Sequence, residues 1–237
     1  DLFTQSTLDY MKTLPKGLFQ FEAGLQSFNV ETLKAVNRRT NMPKLVHNLK
    51  EIVAGGNIHL HIDLIAGLPY EDFESFAKSF NQAYDINANV IQLGFLKLLK
   101  GSTLEKEKDK YNYRSWDYAP YQVVSCDSIS YSDLLELKKC EDAVERLLNS
   151  GKFPYTVPYL INETSLSAFD FFYKFGSFIF ESGIKSPSLE KYASLLFEYF
   201  TSNYNMDKSA LRDVMVKDRI IKIIPSTNTA INAICHE

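Results

Sequence analysis

Apolar and polar positions alternate over three stretches of the chain and fall at helical spacing between them. Residues 18–26 read as a strand, with Phe19, Phe21, Ala23 and Leu25 on one face and Gln20, Glu22, Gly24 and Gln26 on the other. Residues 58–65 repeat the pattern: Leu60, Ile62 and Leu64 oppose His59, His61, Asp63 and Ile65. In residues 90–96, Ile91, Leu93 and Phe95 oppose Gln92 and Gly94. Helices are expected at 7–14, closed by Pro15 and Gly17, and at 30–37, with Asn29 as the N-cap. Two more are expected at 44–53, opened by Pro43 and stopped by Gly55-Gly56, and at 72–84, with Phe73, Phe76 and Phe80 on one face. Strands separated by helical crossovers of this length pair in parallel, with right-handed connections. Three strands are too few to close a barrel, so this region reads as part of a larger sheet or barrel with exposed edges.

Beyond residue 110 the spacing turns mainly helical. One short strand is expected at 121–125. A long helix at 130–149, stopped by Gly151, precedes helices at 164–182, 188–203 and 208–221. The fold class is therefore α/β, with residues 1–110 as a partial barrel and residues 111–237 as a mainly α-helical C-terminal domain. Phe169, Phe171, Phe172, Phe175, Phe178 and Phe180 fall at a spacing that suits a helical core, although such a row can also line a pocket for a flat apolar ligand.

Composition narrows the function classes. The 237 residues carry a net charge of −3, so no electrostatic argument favours a nucleic acid or an anionic membrane. No apolar run reaches the length of a membrane span, and no signal peptide opens the chain. Cys126, Cys140 and Cys235 lie too far apart for a CxxC or a zinc site. A reduced, cytoplasmic protein with a small-molecule substrate is expected.

The polar strand faces carry the candidate chemistry. A parallel sheet covered on both sides normally reads as continuously apolar. All three strands depart from that in the same way, which marks Gln20, Glu22, His59, His61, Asp63 and Gln92 as candidates to face a substrate. His59, His61 and Asp63 share a face at i, i+2 spacing and can in principle ligate a metal. Their neighbours are amides and one acid, which suits substrate contact or a hydrogen-bonded network better, and no metal is assigned. Arg38-Arg39 suits a carboxylate or a solvated surface. Gly67-Leu68-Pro69 is a strand-to-helix turn. Cys235-His236 reads as a frayed tail. No catalytic residue is assigned.

At four segments the chain resembles a known family. Gly17 to Ser27, Glu31 to Arg38, Asp63 to Asp72 and Gln92 to Lys97 resemble the later strands of a radical S-adenosylmethionine barrel, and residues 1–105 carry the likeness. The resemblance is greatest to the cobalamin-binding subgroup, whose members are labelled Mg-protoporphyrin IX monomethyl ester oxidative cyclase-like or oxygen-independent coproporphyrinogen oxidase-like. It implies a (β/α)6 barrel of which this chain holds the last three strands, trailed by a helical domain of unknown function. It also implies S-adenosylmethionine and a [4Fe-4S] cluster as cofactors, with cobalamin added by an N-terminal domain in that subgroup. By the same resemblance Gln26 and Ser27 lie near the ribose of S-adenosylmethionine, and Arg38, or Arg39 beside it, near the methionyl carboxylate. Ile65, Ala66, Gly67, Leu68 and Pro69 pass the adenine. The implied reaction is reductive cleavage of S-adenosylmethionine to a 5′-deoxyadenosyl radical.

Two departures from the family pattern are visible. Tyr70 stands where relatives carry Gly, which should alter the turn and leaves the role of Glu71 open. The cluster-binding CxxxCxxC is absent. The chain is thus expected to be an inactive C-terminal fragment of a longer enzyme. The alternative is a non-catalytic binding module that completes its half-barrel with a partner.

Overall fold

The computed structural model describes residues 1–220. Helix α1 (Gln5–Lys12) leads to strand β1 (Gln20–Gln26), followed by α2 (Val30–Ala35) and α3 (Met42–Gly55). Strand β2 (His59–Ala66), α4 (Phe73–Tyr84) and β3 (Val90–Phe95) complete the α/β portion. The three strands form one parallel sheet in the order β1-β2-β3. Side-chain caps define the helix starts as the sequence predicts. Asn29 accepts from the amides of Glu31 and Thr32, Asp72 from that of Ser75, and Gly56 ends α3 in the left-handed region.

Short helix α5 (Thr103–Lys106) precedes a two-stranded antiparallel sheet, β4 (Arg114–Ser115) and β5 (Val123–Ser125). Helix α6 (Tyr131–Val144) opens with a Ser130–Asp133 capping box and runs into a π-helical turn, Glu145–Asn149. Helices α7 (Thr156–Thr164), α8 (Ala168–Glu181), α9 (Leu189–Asn203) and α10 (208–220) follow.

The helix expected over 164–182 is α8, and α7 before it was not expected. Ser165 adopts a left-handed φ of 55°, which ends α7, and Ser167 restarts the chain as the N-cap of α8. The N-terminus of α7 has no side-chain cap of its own. The buried Asp218 of α10 supplies one, accepting from the amides of Tyr155 (2.8 Å) and Thr156 (3.0 Å) and from the Thr156 hydroxyl (2.5 Å). The Cys235-His236 tail lies outside the described residues.

The apolar strand faces and the aromatic helices share one hydrophobic cluster, which includes Leu60, Ile62 and Leu93 of the sheet and Phe169, Phe171, Phe172 and Phe175 of α8. Phe73 and Phe80 of α4 meet Phe169 edge-on at 5.4 and 5.9 Å, and Tyr84 meets Phe172 at 6.1 Å. Helix α8 crosses α6 at Gly176, where a Cβ would run into the Lys139 carbonyl. Of the phenylalanine row, Phe180 alone is strongly exposed, at 69 %. On the outer edge of β3, Ile91 is met by a side chain. The Asn149 amide accepts from the Ile91 N–H and donates to the Ile91 carbonyl, both at 3.0 Å, as a neighbouring strand would. Among the described residues no strand pairs with the outer edge of β1. No helix among them is long and apolar enough to cross a membrane.

Candidate functional site

The polar sides of the three strands lie together, with Glu22 paired to His61, Gly24 to Asp63, and Asp63 to Gln92. Strict alternation stops at the end of β1. The register slips between Gly24 and Gln26, and Gln26 takes a φ of 70°. Leu25 is the inserted residue and is buried, and Gln26 lines the polar side. A cavity of about 370 Å³ opens there, at the C-terminal ends of the strands, lined among others by Glu22, Gln26, Asp63, Ile65, Gln92 and Lys97. Parallel folds place ligands at this end because every strand delivers its loop there.

Gln26 and Arg38 converge over Gly24, where a Cβ would collide with the Gln26 amide and touch the Arg38 guanidinium. Arg38 donates to the Gly24 carbonyl. The side chain is exposed, and a guanidinium has five N–H groups, so most of its donors face outward. Asp63 sits between Glu22 and Gln92. Burial raises its carboxyl above the ordinary carboxylate range, and the Glu22 carboxylate pushes the same way against the weaker pull of His61 and Arg38. One Asp63 oxygen is buried without a hydrogen-bond partner. The cavity thus offers amides, a carboxyl held toward its neutral form, and the cation of Lys97.

The other candidates go elsewhere. His59 and His61 stack edge-on against each other at 4.9 Å, nearer the start of β2, and do not line this cavity. Gln20 lines a separate cleft of about 470 Å³ along β1, with Glu22, Gly24 and Arg38. Leu68 and Pro69 are buried in the turn. The turn is held by side chains from three directions. Tyr113 donates to the Gly67 carbonyl (2.9 Å), Thr32 to that of Pro69 (2.8 Å), and Asn29 to that of Tyr70 (2.9 Å). Gly67 adopts a φ of 93°. Tyr70 sits at the end of this turn. It takes a φ of 63°, the left-handed region a glycine would fill, and sets its ring edge-on to Tyr111 at 5.7 Å.

Ser27 is fully buried and its hydroxyl points inward. It donates to Glu71 Oε1 at 2.6 Å, and Ser79 of α4 donates to the same oxygen at 2.8 Å. Each hydroxyl also accepts a backbone amide: Asn29 N–H meets Ser27 Oγ at 2.8 Å, and Phe28 N–H meets Ser79 Oγ at 3.0 Å. Glu71, 1 % exposed, is pushed up to about 7 by burial, against the two serine hydrogen bonds, with Asp72 adding to the rise. Its Oε2 has no partner. Sequence reasoning left Glu71 without a role. The signal that could have found it is the spacing to Ser79, two turns of helix later, on the face of α4 that carries Phe76 and Phe80.

The described residues do not fit an iron-sulfur cluster. Among the described residues no three His, Cys, Asp or Glu side chains gather as a metal site. Cys126 is half-buried and Cys140 fully buried, and burial raises both thiols, away from the thiolate a cluster needs.

A family described as "protein of unknown function (DUF4080)" matches residues 109–225. Over 154 residues the chain is 27 % identical to the uncharacterized protein YtqA of Bacillus subtilis (strain 168), covering 64 % of this chain and 45 % of YtqA. Among solved structures it is similar to coproporphyrinogen III oxidase (HemN) from Escherichia coli, described as a radical SAM enzyme. That match has 23 % identity and a TM-score of 0.42, over 58 % of this chain and 29 % of HemN. The chain spans less than half the length of either.

Proposed function

We propose that the C-terminal ends of β1 to β3 form the S-adenosylmethionine-binding part of a radical S-adenosylmethionine enzyme, whose cluster ligands lie outside the described residues. The convergence of Gln26 and Arg38 over Gly24 carries this reading. An amide and a guanidinium, brought together at a strand end, suit the ribose hydroxyls and the methionyl carboxylate of that ligand. Arg38 holds the methionyl carboxylate and Gln26 the ribose. Ile65 and the backbone of Ala66 and Gly67 lie along the adenine, with Leu68 and Pro69 fixing the turn from behind. Ser27 serves from inside, through Glu71. Glu22, Asp63 and Gln92 face the substrate, while Gln20, His59 and His61 stand further from the cavity on the same polar side. Given one electron from a cluster held outside the described residues, S-adenosylmethionine bound here would supply a hydrogen-abstracting 5′-deoxyadenosyl radical and release methionine; these residues would orient it.

The finer assignment is the cobalamin-binding, oxidative cyclase-like subgroup. It adds cobalamin from another domain and rests on the sequence motifs alone. The intact protein, reconstituted anaerobically with iron and sulfide and given a reductant and S-adenosylmethionine, should release 5′-deoxyadenosine. Arg38→Ala should cut that release at least tenfold, chiefly through weaker cofactor binding. Cobalamin retained at about one per chain would support the subgroup. Absence of 5′-deoxyadenosine in a cluster-loaded preparation would overturn the reading. It would leave the non-catalytic module, which the outer edge of β1, unpaired among the described residues, favours.

A further inference from the structure

We propose that Glu71 is a positioning residue for the cofactor site: its carboxyl clasps the β1–α2 junction to α4 and so holds Gln26 and Arg38 where they converge. This rests on the S-adenosylmethionine reading above and deepens it. The junction is residues 27–29, between the left-handed Gln26 and the first turn of α2. Its two amides, Phe28 and Asn29, end on the hydroxyls of Ser79 and Ser27, and both hydroxyls end on Glu71 Oε1. One carboxyl oxygen therefore fixes two amides and two helices at once. Helix α2 starts at this junction, and the chain returns from its far end with Arg38 over β1. Loss of the clasp frees both ligand-contacting side chains together, without removing either.

The clasp is also protonation-sensitive. The groups facing Glu71 are the hydroxyls of Ser27 from the junction and Ser79 from α4, with Asp72 as its charged neighbour at the start of α4. No cation among the described residues pairs with it. A protonated Glu71 still offers Oε1 to both serines. An ionised one buries a charge whose Oε2 has no partner.

The test uses the intact protein and two readouts. One is backbone hydrogen exchange at Phe28 and Asn29 without ligand; the other is binding of S-adenosylhomocysteine. In the wild type, protection of these two amides, corrected for intrinsic rates, should fall as pH rises from about 5 through about 7 and then level off. The fall should be on the order of a hundredfold. Glu71→Gln keeps the acceptor and removes the charge, so it should retain protection and abolish the pH dependence. Glu71→Ala should lose protection and weaken S-adenosylhomocysteine at least tenfold. If Glu71→Ala fails to fold, the contrast between wild type and Glu71→Gln decides alone. Equal pH profiles in those two, or unchanged exchange in a folded Glu71→Ala, overturn the clasp even where the ligand binds. Failure of the wild type to bind S-adenosylhomocysteine, with the exchange pattern as described, overturns the cofactor reading and leaves the clasp standing.

Discussion

Glu71 is an acid that ordinary solvation would keep ionised, placed where water does not reach it. The consequence for stability has a definite sign. Its folded-state value, about 7, lies above the ordinary 4.5, so the native state holds a proton that the unfolded chain releases. The resulting stabilisation is complete below about pH 4.5 and is lost as pH rises through about 7. Chemical denaturation of the wild type at about pH 5 and about pH 8 should therefore differ by about 2.5 kcal/mol more than in Glu71→Gln. A difference of the same size in both proteins would place the titrating group elsewhere.

Asp63 is raised in the same direction and remains in both proteins, so its contribution cancels in that comparison. Residue-scale features were unevenly legible in the sequence. The polar members of the strands could be read by alternation. Ser27 could not be turned inward on paper, because its partners Glu71 and Ser79 are 44 and 52 residues away. Tyr70 could not be judged either, since a residue's name does not disclose a positive φ.

At the scale of elements, caps decided what the chain reveals about itself. Asn29, Asp72, Ser130 and Ser188 each bond an amide two or three residues on, so a local reading places the helices they start. Helix α7 was missed because Asp218 caps it from 62 or 63 residues away, and no local pattern records that. The bulge at Gln26 was equally silent: it inserts one residue into the pairing without changing the apolar–polar order before it. The π-helical turn at Glu145–Asn149 was read as plain helix, yet it carries Asn149 to the edge of β3. Asn149→Ala removes both edge bonds and leaves the Ile91 N–H and carbonyl unmet. It should destabilise the fold by about 1–3 kcal/mol and raise the tendency to self-associate. Equilibrium unfolding and sedimentation velocity read the two effects. A variant of wild-type stability would mean that water satisfies the strand edge just as well.

At the scale of the molecule, the two regions visible in the sequence are joined by one hydrophobic cluster. The aromatic face of α8 covers α4, and Tyr113 holds the Gly67 turn from across the boundary at residue 110. A piece beginning at residue 109 would bare Phe169 and Phe172 to water. Residues 109–225 made alone should show helical far-ultraviolet dichroism with weak near-ultraviolet signals and bind an apolar dye. A cooperative unfolding transition in that piece would mark it as an autonomous domain.

The two edges of the main sheet differ in kind, and this difference limits how the molecule can aggregate. A strand edge acts as a template, and a sheet with two free templates can lengthen without end. Here Asn149 occupies one of them like a stopper in a chain reaction. Association through β1 can join two copies back to back, but the dimer presents at each end an edge that Asn149 blocks at Ile91. Misassembly through this sheet should therefore tend to stop at the dimer, and Asn149→Ala should let it run further.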